Sequence, residues 1–441
     1  MVKGRGNRKV TKRLHDTVHG MRDIYIGDTG PLVQYMQLAL QRAGYTTPVN
    51  GEFARRTCSV LGEFLGCGVG CHVDASGWEK LLPYLRGYTT HVIVKGDTLW
   101  SISEQYNTSL AAIVTANPTV EASNLQTGTT IYVPYNFPLV AEDVPYTSEL
   151  TKLIVEGLQV RYPFLVTGSI GTSVMGRELN YIRIGRGTTQ VCYNACFHAN
   201  EWITTPILLK FAEEYAKAYA DSDKLYEAES LELFEKYSLY LIPMVNPDGA
   251  DLVNGALYDE KYLEQTRQIS ANYPSIPYPD GWKANINGVD LNLQFPAGWD
   301  NARNIKAQQG YTSPAPRDYV GTAPVSQPES KAMYDFTNAN NFRLILAYHT
   351  QGEVIYWKYL DYEPENSRRI AEYFGRVSGY LVEETPYASG YAGYKDWFIE
   401  KYNLPGYTIE AGVGVNPLDM SQFSKIYQDN KLILLGGMTQ I

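Results

Sequence analysis

Three short apolar runs in this chain each end on ionisable residues. Gln190-Val191-Cys192-Tyr193-Asn194-Ala195-Cys196-Phe197 runs into His198-Ala199-Asn200-Glu201. Arg343-Leu344-Ile345-Leu346-Ala347-Tyr348 stops at His349, and Gly406-Tyr407-Thr408-Ile409 stops at Glu410. Runs of this length and character read as buried strands of an α/β sheet. In open α/β sheets, ligands bind outside the carboxyl ends of the strands. Two histidines and a carboxylate with a fourth position left open are the usual make-up of a catalytic zinc site. The three strand ends together therefore point to a hydrolytic zinc centre. Taken alone, His-x-x-Glu also describes a surface turn with a solvated glutamate, so the surrounding segments must decide.

Those segments are Asn246-Pro247-Asp248-Gly249, Trp282-Lys283-Ala284-Asn285, Asn285-Ile286-Asn287-Gly288-Val289-Asp290-Leu291-Asn292, Gln294-Phe295-Pro296-Ala297 and Ser326-Gln327-Pro328-Glu329. With His349 and Glu410 they follow the order of the zinc carboxypeptidases of the carboxypeptidase A type. The set most resembles the bacterial branch of gamma-D-glutamyl-diaminopimelate endopeptidases, over residues 147–441. The resemblance implies a mixed eight-stranded sheet flanked by helices. It also implies His198, Glu201 and His349 as zinc ligands and Glu410 as the general base, which moves a proton from water to the leaving nitrogen.

The resemblance also marks departures. Where the family carries an arginine after a tryptophan to steady the oxyanion, this chain has Lys283, which offers charge without a two-pronged fork. Where carboxypeptidases read Asp-x-Asn-Arg, this chain reads Asp290-Leu291-Asn292-Leu293. Asn292 is kept as a substrate contact, but leucine cannot clamp a terminal carboxylate. Release of C-terminal residues is thereby disfavoured, and the bond between γ-D-glutamate and meso-diaminopimelate becomes the expected target. In Tyr387-Ala388-Ser389-Gly390-Tyr391-Ala392-Gly393-Tyr394-Lys395, Tyr387 is the nearest match to the family's mobile substrate-binding tyrosine, with Tyr391 the alternative. Lys395 falls at the base of the specificity pocket, where it would meet the side-chain carboxylate of diaminopimelate. Arg317 is a further candidate for holding a substrate carboxylate.

The chain is long enough for several domains, at 441 residues. Residues 1–20 form a basic tail with Lys3, Arg5, Arg8, Lys9, Lys12 and Arg13, and no apolar stretch follows it. No secretion signal is expected in this stretch. The expectation is synthesis in the cytoplasm and action on cell wall, spore peptidoglycan or recycled muropeptides. Residues 21–88 show helix, Asn50-Gly51 turn and helix, and resemble a small all-α peptidoglycan-binding module. Residues 91–134 have a strand, two short helices and a returning strand, with Asp97 or Thr98 placed to cap the first helix. This βααβ pattern resembles LysM, a module that binds N-acetylglucosamine-containing glycans. Residues 135–146 hold Pro138, Glu142, Asp143 and Pro145 without periodicity and read as a linker. The peptidase domain follows at 147–441.

A formal net charge of −9 argues against a nucleic-acid binder. No run reaches membrane-spanning length. Five cysteines make no disulfide framework. Cys192 and Cys196, both placed on one strand, would sit roughly 13 Å apart, too far to bridge. Cys58, Cys67, Cys71 and His72 form a looser cluster whose spacing fits no standard zinc finger. The expected partners are peptidoglycan glycan and stem peptide, with zinc as cofactor. The competing functions are a general metallocarboxypeptidase and a catalytically inactive wall-binding protein.

Overall fold

The computed structural model describes residues 20–68 and 72–441. The basic tail and Cys71 lie outside the described residues. Two compact units divide the chain, one ending at Leu82 and one beginning at Pro83.

In the first unit, helices Pro31–Arg42 and Arg55–Leu65 are joined through the predicted Asn50-Gly51 turn, and a third helix begins at Ala75. Met36, Leu40, Phe53, Leu61, Trp78 and Leu81 are buried and form its core. Gln37, fully buried, fixes the turn. Its amide donates to Asn50 Oδ1 (3.0 Å) and the Glu52 carbonyl (3.1 Å) and accepts from Gly51 N–H (2.9 Å). Gly51 takes a φ of 74°, which a side chain would disfavour. Cys58 is a buried thiol, and His72 stacks on Tyr25.

The second unit opens with the βααβ module. Strand β1 (Tyr88–Val92) pairs antiparallel with β2 (Thr130–Pro134), and helices Leu99–Gln105 and Leu110–Ala116 lie between them. Ile93, Leu99, Ile102, Ile113, Ile131 and Val133 fill its core. Thr98 is the cap, in a reciprocal box with Ser101, while Asp97 instead holds His91 Nε2 and Val94 N–H.

Residues 135–146 do connect the module to the larger domain, but they are packed rather than loose. Leu139, Val140, Val144 and Tyr146 are buried. The Glu213 carboxylate accepts from the N–H groups of Leu139 (2.6 Å) and Val140 (3.0 Å). Buried Arg161 donates to the carbonyls of Gly87, Tyr135 and Phe137. A proline- and acid-rich composition signals missing periodicity, and here buried side chains supply the bonds that regular structure would have made.

The remaining strands are β3 (Val166–Thr172), β4 (Glu178–Ile184), β5 (Thr189–Ala195), a small hairpin of β6 (Lys224–Leu225) and β7 (Ala228–Glu229), β8 (Tyr237–Ile242), β9 (Phe342–His349), β10 (Val354–Tyr356), β11 (Leu381–Glu383) and β12 (Gly406–Glu410). Eight form one mixed sheet in the order β11-β10-β12-β9-β5-β8-β4-β3. Its centre is parallel: β8, β5, β9 and β12 run together, so their carboxyl ends share one edge. Alternation along β5 shows the two covered faces. Tyr193 donates its hydroxyl to the Leu434 carbonyl in helix Phe423–Thr439. Its neighbour Cys192 packs in the cluster of Phe295, Met333, Tyr394 and Trp397 on the other side. The expectation that Cys196 continues this strand is corrected. The strand ends at Ala195, and Cys196 turns the chain with a φ of 56°. The helix that follows begins at Thr204.

Candidate metal centre and catalytic site

The turn after β5 aims two side chains back over the sheet edge. Cys196 N–H donates to Thr204 Oγ1 (3.0 Å), and that hydroxyl donates to the Glu201 carbonyl (2.7 Å), closing His198–Glu201 into a short 3-10 turn. Asn246 binds the turn from below: its amide donates to the carbonyls of Phe197 (3.1 Å) and Ala284 (3.0 Å), and it accepts from Gly249 N–H (3.1 Å). Gly249 is needed for this approach, since a Cβ there would lie 2.7 Å from the Ala199 methyl. His349 and Glu410 arrive without any turn. They end adjacent parallel strands and are register partners.

His198, Glu201 and His349 are the one group of three potential metal ligands found among the described residues. Glu201 Oε1 lies 2.9 Å from His198 Nδ1, Glu201 Oε2 lies 2.8 Å from His349 Nδ1, and the two Nδ1 atoms are 3.2 Å apart. A tetrahedral ion with bonds of about 2.0–2.1 Å places its ligand atoms roughly 3.3 Å apart. His198 Nε2 meets Asp290 Oδ1 at 3.2 Å, which assigns the proton to Nε2 and leaves the Nδ1 lone pair for a metal. Donor identity, spacing and tautomer therefore all fit zinc.

The charges agree. Burial would raise Glu201, but His198, Lys283 and His349 outweigh it and hold the carboxylate well below its usual range. Burial likewise opposes ionisation of Asp290, and His198 and Lys283 again prevail. Glu410 is shifted the other way. Burial and the nearby Glu201 raise it above an ordinary glutamate, against the pull of His349, Lys283 and His198. Among the described residues its carboxylate has no hydrogen bond or ion pair. A raised, unengaged carboxylate beside a metal pocket is suited to taking and returning a proton.

Lys283 joins this group: its ammonium lies 2.8 Å from Glu201 Oε1. Asn292 donates its N–H to Asp290 Oδ1 (3.1 Å), and its Oδ1 accepts from Tyr394 N–H (3.1 Å) at the start of helix Tyr394–Tyr402. Leu293 is 8% exposed and belongs to an apolar cluster with Trp299, Ala302, Val320 and Ala392, where the family carries its arginine. Tyr387 is 73% exposed on a single 3-10 turn, whereas Tyr391 is committed to packing against Tyr359 and the Leu293 cluster. Tyr387 sets its ring edge-on against Tyr391 at 5.7 Å, and of the two it is the more exposed.

Lys395 departs from expectation. It is 4% exposed, and its ammonium donates to the Lys358 carbonyl (2.7 Å) and Thr385 Oγ1 (3.1 Å). It also lies 2.7 Å from Asp396 Oδ1, an ion pair outside hydrogen-bonding alignment. Protein acceptors surround this lysine, so it offers no open cation to a substrate side chain. A buried ammonium is stable only with such partners, and the neighbouring aspartate supplies one. Arg317 remains half-exposed, with its Nε 2.7 Å from Asp318 Oδ2.

Other quoted motifs turn out to be scaffold. Asn285 donates to Gln327 Oε1 (2.9 Å) and Glu329 Oε2 (3.2 Å), tying the Gly288 turn to the Ser326–Glu329 segment. Asp290 had no role assigned from sequence. Its 92-residue separation from His198 carries no periodic signal, and only the fold makes the pair.

Residues 153–432 match the family model described as zinc carboxypeptidase, and residues 91–134 match the LysM domain. The chain is 47% identical over 287 residues to "Gamma-D-glutamyl-L-diamino acid endopeptidase 1" of Lysinibacillus sphaericus, covering 64% of this chain and 70% of that protein. It is 41% identical over 276 residues to "Uncharacterized protein YqgT" of Bacillus subtilis (strain 168), covering 62% and 72%. The crystal structure of thrombin activatable fibrinolysis inhibitor superposes with a TM-score of 0.51 at 16% identity, over 96% of this chain and 99% of that one, a likeness of fold alone.

Proposed function

The chain belongs to the zinc carboxypeptidase family and carries a LysM domain, and from that premise we propose that it hydrolyses the γ-D-glutamyl–meso-diaminopimelate bond of peptidoglycan stem peptides. The observation that carries this reading is Leu293. A zinc site otherwise complete has an apolar, buried side chain where a carboxypeptidase needs a cation for the substrate's terminus. The 47% identity to a protein named as a gamma-D-glutamyl-L-diamino acid endopeptidase supports the same bond.

His198, Glu201 and His349 would hold the ion, with Asp290 fixing the His198 tautomer. Zinc supplies Lewis acidity, polarising a carbonyl and acidifying water. Glu410 takes the water proton and delivers it to the leaving amine of diaminopimelate. Lys283, held beside Glu201, offsets negative charge as it develops on the glutamyl carbonyl oxygen. Tyr387, exposed on its turn, closes over the bound peptide. The LysM module retains the enzyme on glycan and raises the local concentration of stem peptide without touching the chemistry.

Incubation with purified muropeptides, with and without chelator, followed by mass spectrometry tests the reading. Chelator-sensitive products ending in γ-D-glutamate and beginning with diaminopimelate are expected. Stepwise loss of C-terminal residues would make the protein a carboxypeptidase, and intact muropeptides throughout would make it a binding protein.

A further inference from the structure

Three largely buried lysines of this domain are engaged by protein partners. Lys283 faces Glu201, and Lys395 is enclosed by Asp396, Thr385 and the Lys358 carbonyl. Lys306, 8% exposed, is paired with Asp318 Oδ1 at 2.6 Å. Arg317 differs. Asp318 holds its Nε, the side chain is 42% exposed, and neither Nη1 nor Nη2 has a partner among the described residues.

Its backbone is tied to the catalytic frame on both sides. The Pro316 carbonyl accepts from the N–H groups of Lys283 (2.8 Å) and Ala284 (2.9 Å). Asp318 N–H donates to Asp290 Oδ2 (3.2 Å), and the other oxygen of that carboxylate holds His198. Val320, two residues on, packs against Leu293. Arg317 is close enough to interact electrostatically with both Lys283 and Asp290. A guanidinium anchored at Nε, with its outer fork open, is arranged to receive a carboxylate through two parallel hydrogen bonds.

We infer that Arg317 is the specificity-determining cation of this enzyme, receiving a substrate carboxylate that Leu293 cannot hold. The inference rests on the stem-peptide reading above. A γ-linked glutamyl residue keeps its α-carboxylate free near the cleaved amide, and diaminopimelate brings carboxylates on the other side. A neutral α-linked peptide offers neither inside the chain. Arg317 thus selects for peptides carrying an anion beside the scissile bond.

The test compares kcat/KM of the wild type, Arg317→Gln and Arg317→Lys on L-Ala-γ-D-Glu-meso-diaminopimelate. Three analogues accompany it, with the glutamyl α-carboxyl, the diaminopimelyl side-chain carboxyl or the diaminopimelyl terminal carboxyl converted to its amide. Arg317→Gln should lose about ten- to hundredfold on the parent peptide. It should match the wild type on the one amide that removes Arg317's partner, which identifies the carboxylate. Arg317→Lys should recover part of the loss. Zinc content and melting temperature should not move, because Lys306 keeps Asp318 paired. Equal loss on all four peptides, or no loss on any, overturns this inference while leaving the bond assignment intact. A wild type that cuts none of them but trims α-linked peptides overturns the stem-peptide reading, and this one with it.

Discussion

Lys283 and Lys395 are both largely buried lysines 2.7–2.8 Å from a carboxylate, yet they belong to two differently built regions. At the strand-end corner, Lys283 shares Glu201 with two histidines, and Asp290 and Glu410 stand close by. Charge there is concentrated where the candidate ligand atoms of three residues converge. At the start of helix Tyr394–Tyr402, Lys395 meets its own neighbour Asp396 and two further acceptors, and the region is closed. The difference teaches that a buried charge marks chemistry only when its partners are shared and convergent. A privately paired charge is part of the packing.

The largest expected effect belongs to the strand-end corner. Glu410→Gln should lower kcat by about 10²–10⁴ while zinc, measured by metal analysis, stays bound. His349→Ala should instead lose the zinc itself. A Glu410→Gln enzyme with near-normal turnover would remove the catalytic meaning of this region.

The closed region should answer through stability. Lys395→Met leaves Asp396 buried without its counter-charge, a loss of about 3–5 kcal/mol by denaturant titration. The ratio of kcat/KM on diaminopimelate- and lysine-containing peptides should hold at its wild-type value. A collapsed ratio at unchanged stability would show that Lys395 reaches substrate after all. Lys283→Met should behave oppositely, lowering kcat by about 10²–10³ with partial rescue by Lys283→Arg, as expected of a group that stabilises developing charge.

Much of the corner was legible because its signals are local. Short apolar runs ending in His198, His349 and Glu410 announce buried parallel strands, and parallel strands bring their carboxyl ends to one edge. The βααβ module was legible for the same reason, through the cap at Thr98 and the local run of strand, two short helices and returning strand. What stayed hidden depends on distant partners. Arg161 and Glu213 bind residues 135–146 into the fold across tens of residues, and composition shows only that the segment is irregular. Lys395 could be placed in the segment that resembles the family's specificity pocket, but consecutive helical residues do not usually face each other, so its pairing with Asp396 had no sequence signal.

The smallest effect is the sharpest test of the comparison. If the Lys395–Asp396 pair is packing, removing both charges should cost far less than removing one. A buried pair gains Coulomb energy but has lost hydration on both members, and its replacement by neutral groups of similar shape is often close to neutral. Lys395→Met with Asp396→Asn should therefore recover most of the single-variant loss and finish within about 1 kcal/mol of the wild type. Its peptide preference should be the wild-type one. A double variant as unstable as Lys395→Met alone would shift the stabilising role to the hydrogen bonds with Lys358 and Thr385. A stable double variant that no longer distinguishes diaminopimelate from lysine would break the comparison outright, because the closed region would then be reading substrate.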